Sequence, residues 1–215
     1  MNKSLQKLLA AIFVTSALTV SGTASAAVAC SGITTIGAWQ TVGACDNFLT
    51  HFTFVSSTLD PTTGFSVGVN QGPVLRFYDV GFDFVGGGLT VPGSISFVVS
   101  VIGSEHFVGA GFDTTTFGAT IATMNVSSSG NNLLQLTSTN RNADPSVGVT
   151  IFGSGLFSNF SSVAVTDTFT PSAGGYFTHA DNLIATLPEP ETYAMLLAGL
   201  GLLGFVARRR KLKAA

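Results

Sequence analysis

The stretch Gly64-Phe65-Ser66-Val67-Gly68 has the G-x-S-x-G spacing of a serine nucleophile. That chemistry needs the serine on a sharp strand-to-helix turn, which lifts its hydroxyl above a sheet. Here the serine falls in an alternating run followed by Asn70-Gln71-Gly72-Pro73, with no helical pattern after it, so a structural serine is expected. His51, His106 and His179 lie far apart and lack the paired spacing of a zinc site. Asp79 and Asp83 are four residues apart on one face of a strand, and Asp181-Asn182 opens what reads as the last strand. Calcium takes oxygen ligands of this kind, which makes Asp79, Asp83 and Asp181 candidates for a structural calcium. No loop carries the dense carboxylate spacing of a calcium motif, so the competing expectation is solvated or turn-stabilising acids, and no other cofactor is expected. Trp39, Tyr78, Tyr176 and Tyr193 suit a sugar platform but are few, and the phenylalanines between residues 27 and 187 read as core. The inventory offers no recognisable catalytic constellation, and the chain is not expected to be an enzyme.

Charge narrows the partners. Only 9% of the 215 residues are Asp, Glu, Lys or Arg, against about 25% in an average soluble protein. Between residues 27 and 187 the basic residues are Arg76 and Arg141 alone, against eight aspartates and Glu105, a net of −7. Nucleic-acid affinity rests on neutralising phosphates with Lys and Arg, so a nucleic-acid partner is excluded. Disorder is excluded as well, because disordered chains combine low hydrophobicity with high charge and this one is 46% hydrophobic.

Both ends read as handling signals. Residues 1–7 carry Lys3 and Lys7, residues 8–20 form an apolar run, and Ala24 and Ala26 stand in an A-x-A arrangement. This is the order of a secretory signal peptide, with cleavage after Ala26 by signal peptidase. A lipoprotein reading at Cys30 fits less well, because that cysteine lies ten residues beyond the apolar run. Export brings Cys30 and Cys45 into an oxidising compartment; they fit no C-x-x-C metal pattern and are expected to pair as a disulfide. At the other end, residues 193–207 are apolar and uncharged, preceded by Pro188-Glu189-Pro190 and followed at once by Arg208, Arg209, Arg210 and Lys211. A helix of that length is about 22 Å long, somewhat short for a bilayer core of about 30 Å, so snorkelling arginines must help it span. The basic cluster stays cytoplasmic, which leaves the body on the far side of the inner membrane.

Pro188-Glu189-Pro190, the apolar helix with Gly199, Gly201 and Gly204, and the terminal arginines together resemble the PEP-CTERM sorting domain of Gram-negative bacteria. The resemblance covers about residues 187–213. It implies an exosortase substrate, cut near Pro-Glu-Pro by that membrane enzyme and released or transferred to the cell surface. In that family the system accompanies exopolysaccharide production and biofilm formation. The prolines suit this role physically, since proline lacks a donor and biases its predecessor away from helix.

The elements that must position the body's side chains are strands. Residues 94–102 alternate, with Ile95, Phe97, Val99 and Val101 on one face. Similar runs cover residues 48–55, 65–69, 74–85, 118–126, 133–138, 147–152, 162–169 and 183–187, separated by Gly, Pro, Asn and Asp turns. About ten strands at this spacing imply an all-β antiparallel two-sheet sandwich, jelly-roll-like, over residues 27–187, between a signal peptide at 1–26 and a sorting signal with a single transmembrane helix at 188–215. The expected role is a structural exopolysaccharide- or biofilm-associated surface protein, with a carbohydrate-binding module for extracellular polysaccharide as the alternative and a secreted hydrolase behind both.

Overall fold

The computed structural model describes residues 28–72, 75–142, 148–188 and 198–201. Ala24, Ala26, Glu189, Pro190 and the cluster Arg208, Arg209, Arg210 and Lys211 lie outside the described residues, as does most of the apolar run at 193–207. Residues 198–201 are helical. Among the described residues no helix is long and apolar enough to cross a membrane.

The described chain enters through a 3-10 turn, Cys30–Gly32, and a two-turn helix α1, Ile36–Val42. Thr35 caps α1 by accepting the Ala38 amide at 3.2 Å, and Gly43, at φ 81°, ends it in a conformation that costs glycine little. The expected Cys30–Cys45 disulfide is present. Closing a loop of that length is worth roughly 3 kcal/mol in the chain-entropy view, and it fixes the entry turn to the first strand.

Strands follow as β1 (Ala44–Asn47), β2 (Thr50–Ser57), β3 (Gly64–Gln71), β4 (Arg76–Asp83), β5 (Gly93–Val101), β6 (Glu105–Phe117), β7 (Thr120–Ser128), β8 (Asn131–Asn140), β9 (Gly148–Phe160), β10 (Ser162–Pro171) and β11 (Tyr176–Pro188). They form a six-stranded sheet, β1-β2-β5-β10-β7-β8, and a five-stranded sheet, β3-β4-β11-β6-β9, antiparallel throughout. From β4 onward the strands fall as 4-11-6-9 in one sheet and 5-10-7-8 in the other. That is the nested double Greek key of an eight-stranded jelly roll, with β1, β2 and β3 extending its edges.

Alternation explains which side chains meet between the sheets. Ile95, Phe97 and Val99 of β5, Val163, Val165 and Phe169 of β10, and Met124 and Val126 of β7 face Tyr78, Val80 and Phe82 of β4, Ile184 of β11 and Phe112 of β6, all buried. Trp39 of α1 closes one end, stacked on Phe65 at 4.2 Å and edge-on to Phe54 at 5.6 Å. Each fully buried aromatic of this set is worth about 2–3 kcal/mol of burial.

Two strands depart from the sequence expectation. β6 falls between the runs expected at 94–102 and 118–126, where no strand was expected, yet it lies near the centre of the five-stranded sheet. β11 begins at Tyr176 rather than near residue 183, so Asp181 and Asn182 sit in mid-strand, not at a strand opening.

Candidate functional site

The outer face of the five-stranded sheet gathers carboxylates that the sequence scatters. Asp79, Gly81 and Asp83 alternate outward on β4. The register places Asp181 of β11 opposite Gly81, His179 opposite Asp83, and Asp113 of β6 opposite Asp181. Ser66 of β3 completes the row beside Gly81. Gly81 makes room for them: a Cβ there would lie 2.7 Å from Asp181 Oδ1 and 2.7 Å from Ser66 Oγ, and both side chains would have to swing aside. His179 Nδ1 stands 2.7 Å from Asp83 Oδ1, and its Nε2 stands 2.5 Å from Asp181 Oδ2.

The electrostatics follow from carboxylates crowded around a single imidazole. Burial pushes the Asp79 carboxyl up to about 6, and the charge of Asp181 and the hydrogen bond between the two add to the rise against the pull of His179. Burial first, then the charge of Asp181, also raises Asp113. At His179 burial works against the charged ring, but the hydrogen bonds to Asp83 and Asp181 and their charges outweigh it, and its pKa is raised. Oδ1 of Asp79 and Oδ1 of Asp113 are covered and have no hydrogen-bond partner.

Ser66, His179 and Asp181 thus stand around one glycine, but they do not form a serine-nucleophile triad. Both ring nitrogens of His179 are engaged by carboxylates, so neither is free to take the Ser66 proton. Ser66 also lies within β3, with no nucleophile turn. What the cluster does offer is a protonatable carboxyl, Asp79, hydrogen-bonded to a second one, together with acceptor oxygens that lack donors. The calcium candidates Asp79, Asp83 and Asp181 are indeed brought together, but their neighbours are each other and His179. Among the described residues no group of three or more such side chains is arranged to hold a metal ion.

Beside the carboxylates the same face turns apolar. A groove of about 260 Å³ is lined by Leu75, Phe77, Leu183, Phe152 and Leu156 over a floor that includes Gly109 and Gly111. The Phe152 ring lies against Gly111, its Cε2 3.1 Å from where a Cβ would stand, and Leu156 leans on Gly109 in the same way at 3.0 Å. Phe152 is 58% exposed and Leu156 87%. Asp113 and Phe152 are direct cross-strand partners, on strands about 4.8 Å apart.

Other residues singled out from the sequence serve the fold. Trp39 and Tyr78 are fully buried, which removes them from any sugar platform; α1 turns the indole inward under β3. Tyr176 stacks on Phe117 at 4.9 Å. His51 pairs with Asp46 across the β1–β2 hairpin. Arg76 is held by buried Glu105, whose other oxygen accepts from Thr186 Oγ1 at 2.9 Å, and its guanidinium lies 4.5 Å above the Phe48 ring. His106 sits on β6, away from the other two histidines in register.

Sequence reasoning missed Asp113 and His179 as members of the cluster. It also missed Asp167, a fully buried acid in the core whose Oδ2 accepts from Asn182 Nδ2 at 2.7 Å across the two sheets. Burial pushes Asp167 up to about 7, against the lowering effect of the Asn182 bond. A signal for it was present: residues 163, 165, 167 and 169 alternate inward, and Asp167 is the one acid among them.

Among curated proteins nothing matches the chain. Solved structures give partial superpositions. TmCBM61 in complex with β-1,4-galactotriose is 14% identical over 58% of this chain and 88% of that one, with a TM-score of 0.25. The carbohydrate-binding module CBM6cm-2 of Cellvibrio mixtus lichenase 5A, in complex with cellotriose, is 10% identical over 64% and 99%, with a TM-score of 0.27. The insecticidal crystal protein Cry2Aa is 16% identical over 63% and 20%, with a TM-score of 0.28. Superpositions this partial carry no argument about function. The tail is different: residues 186–211 match the PEP-CTERM protein-sorting motif, and the chain is a protein bearing that sorting motif.

Proposed function

We propose that this protein is exported, held for a time in the inner membrane by its C-terminal segment with the body in the periplasm, and cut near Pro188-Glu189-Pro190 by an exosortase. The sandwich is thereby delivered to the cell surface or extracellular matrix as a structural exopolysaccharide-associated component. One observation carries this reading: β11, a central strand, ends at Pro188, the first residue of Pro188-Glu189-Pro190, and among the described residues no strand follows it. A cut beyond Pro188 leaves every strand of the two sheets whole, whereas a cut before Thr186 would take away the hydroxyl that donates to buried Glu105. Mass mapping of the C-terminal peptide of surface or shed protein tests it. The expected end lies near Pro190; recovery of the peptide carrying Arg208 to Lys211 contradicts it.

A second reading, binding of extracellular polysaccharide by the body, is favoured by the glycine-floored groove with its exposed Phe152 and adjoining carboxylates. Apolar sugar faces pack on aromatic rings and sugar hydroxyls donate to carboxylates. Cosedimentation of the mature protein with the producing cells' own polysaccharide tests it, with saturable binding expected and none contradicting it. A hydrolase is disfavoured by the full occupation of both His179 nitrogens.

A further inference from the structure

We infer that the end of the sandwich from which β11 leaves, built around Phe48 and Ile102, rests in the headgroup layer of the membrane that holds the uncut tail, so that the bilayer surface is a partner of the body itself. This deepens the reading of the chain as anchored before processing and rests on it.

The register fixes the place. β11 ends at Pro188, opposite Glu105 at the start of β6, and Thr186 pairs with Arg76 at the start of β4. In the other sheet Thr50, which opens β2, pairs with Val101, which closes β5. The Phe48-Leu49 turn and the loop after β5 meet there, the Ile102 amide donating to the Leu49 carbonyl at 2.6 Å. Arg76 links the two sheets at this end: it is bound by Glu105, which also accepts from Thr186, and its guanidinium lies 4.5 Å from the centre of the Phe48 ring. The ring therefore stands beside the residues that carry the chain out to the motif. Phe48 is 55% exposed and Ile102 46%. Phe48 also takes φ 58°, in the left-handed region that a two-residue hairpin turn normally gives to glycine or asparagine. A bulky aromatic kept in that conformation, held by a cation and left open to solvent, is strained without serving the core. An aromatic ring beside an aliphatic side chain is what a bilayer interface buries.

The tether leaves little room for any other neighbour. Tyr193 opens the apolar run five peptide steps after Pro188, and five extended steps reach at most about 18 Å. The headgroup layer takes up about 5–8 Å of that reach on one side of the bilayer. The run is also shorter than the hydrocarbon core, about 22 Å against about 30 Å, which draws the exit closer still. The acids at this end are paired, Glu105 with Arg76 and Asp46 with His51, so lipid phosphates meet little repulsion there. Val85 and Val91 are exposed as well, but they lie in the loop beyond the far end of β4, about 26 Å away along its eight residues.

The test uses the chain with its tail uncut, reconstituted in phosphatidylethanolamine–phosphatidylglycerol vesicles, with tryptophan as a depth probe. The native Trp39 is fully buried and gives a constant background. Phe48→Trp and Ile102→Trp each add a probe at the exit end, and Val91→Trp adds one at the far end. Lipids brominated close to the headgroup are expected to quench the added fluorescence of Phe48→Trp and Ile102→Trp and to leave that of Val91→Trp unchanged. Ile102→Trp decides the matter should the left-handed turn not accept tryptophan. Phe48→Gly, which suits that turn, is expected to reduce the quenching of Ile102→Trp when the two are combined. If the protein floats with the vesicles but neither exit-end probe is quenched, or all three are quenched alike, the inference fails and the anchored reading stands. Quenching of Ile102→Trp that is indifferent to Phe48→Gly overturns it too. If the protein does not float with the vesicles, both fail.

Discussion

The two outer faces of the sandwich are built on the same pleat from the same sparing use of charge, and they handle polar groups in opposite ways. On the six-stranded sheet, hydroxyls face hydroxyls: Ser96 meets Thr166 at 3.0 Å and Ser100 meets Ser162 at 2.9 Å, in rows continued by Asn125 and Gln135. Short neutral side chains that act as both donor and acceptor close on one another across strands. On the five-stranded sheet the polar groups are carboxylates, which only accept when ionised. His179 satisfies two of them, a shared hydrogen bond joins Asp79 to Asp181, and two oxygens are left over. One face closes on itself through its own hydrogen bonds; the other leaves acceptor oxygens without donors.

The acid buried at the seam between the sheets should give the largest effect. Asp167 holds its proton more tightly in the folded than in the unfolded chain, so stability is greatest below its ordinary value of 3.8, falls as pH rises towards about 7, and is flat beyond. Asp167→Asn removes this penalty; at pH 8 the variant should be more stable by as much as about 4 kcal/mol, with the slope between pH 4 and 7 gone, as read by urea titration. Next comes the floor of the acidic face. Gly81→Ala drives a Cβ into Asp181 and Ser66, a cost of about 1–3 kcal/mol. The corresponding enlargement on the other face, Ala164→Val between Val98 and Ser127, should change stability by about 0.5 kcal/mol or less. The smallest effect sharpens the comparison without disturbing the fold. Asp181→Asn takes away the charge that helps hold Asp79 up, so the Asp79 carboxyl should titrate below about 6 when followed by carbon NMR. Thr166→Ala on the opposite face should leave that titration where it is.

Much of this was legible in the residues. The run Ile95, Phe97, Val99 gave its strand and its buried face by period alone, and the cysteines declared their bond through spacing and export. Asp79 and Asp83 could be set on one face because residues two and four apart in a strand point the same way. Asp113 could not join them, because β6 is interrupted by Gly109 and Gly111, and those glycines exist to seat Leu156 and Phe152 rather than to turn the chain. His179 could not either: its partners are Asp83, almost a hundred residues away, and Asp181, and only the β4–β11 register brings all three together. Whether Trp39 belonged to a sugar platform was not legible, for the opposite reason. A two-turn helix too short to show a period carries it into the core.

Sedimentation with the producing cells' extracellular polysaccharide, run on the mature protein and on one variant from each outer face, tests the account most directly. The account predicts that wild type and Thr166→Ala pellet with the polysaccharide while Asp79→Asn combined with Asp113→Asn stays in the supernatant. Equal pelleting of both variants, or loss confined to Thr166→Ala, would contradict it.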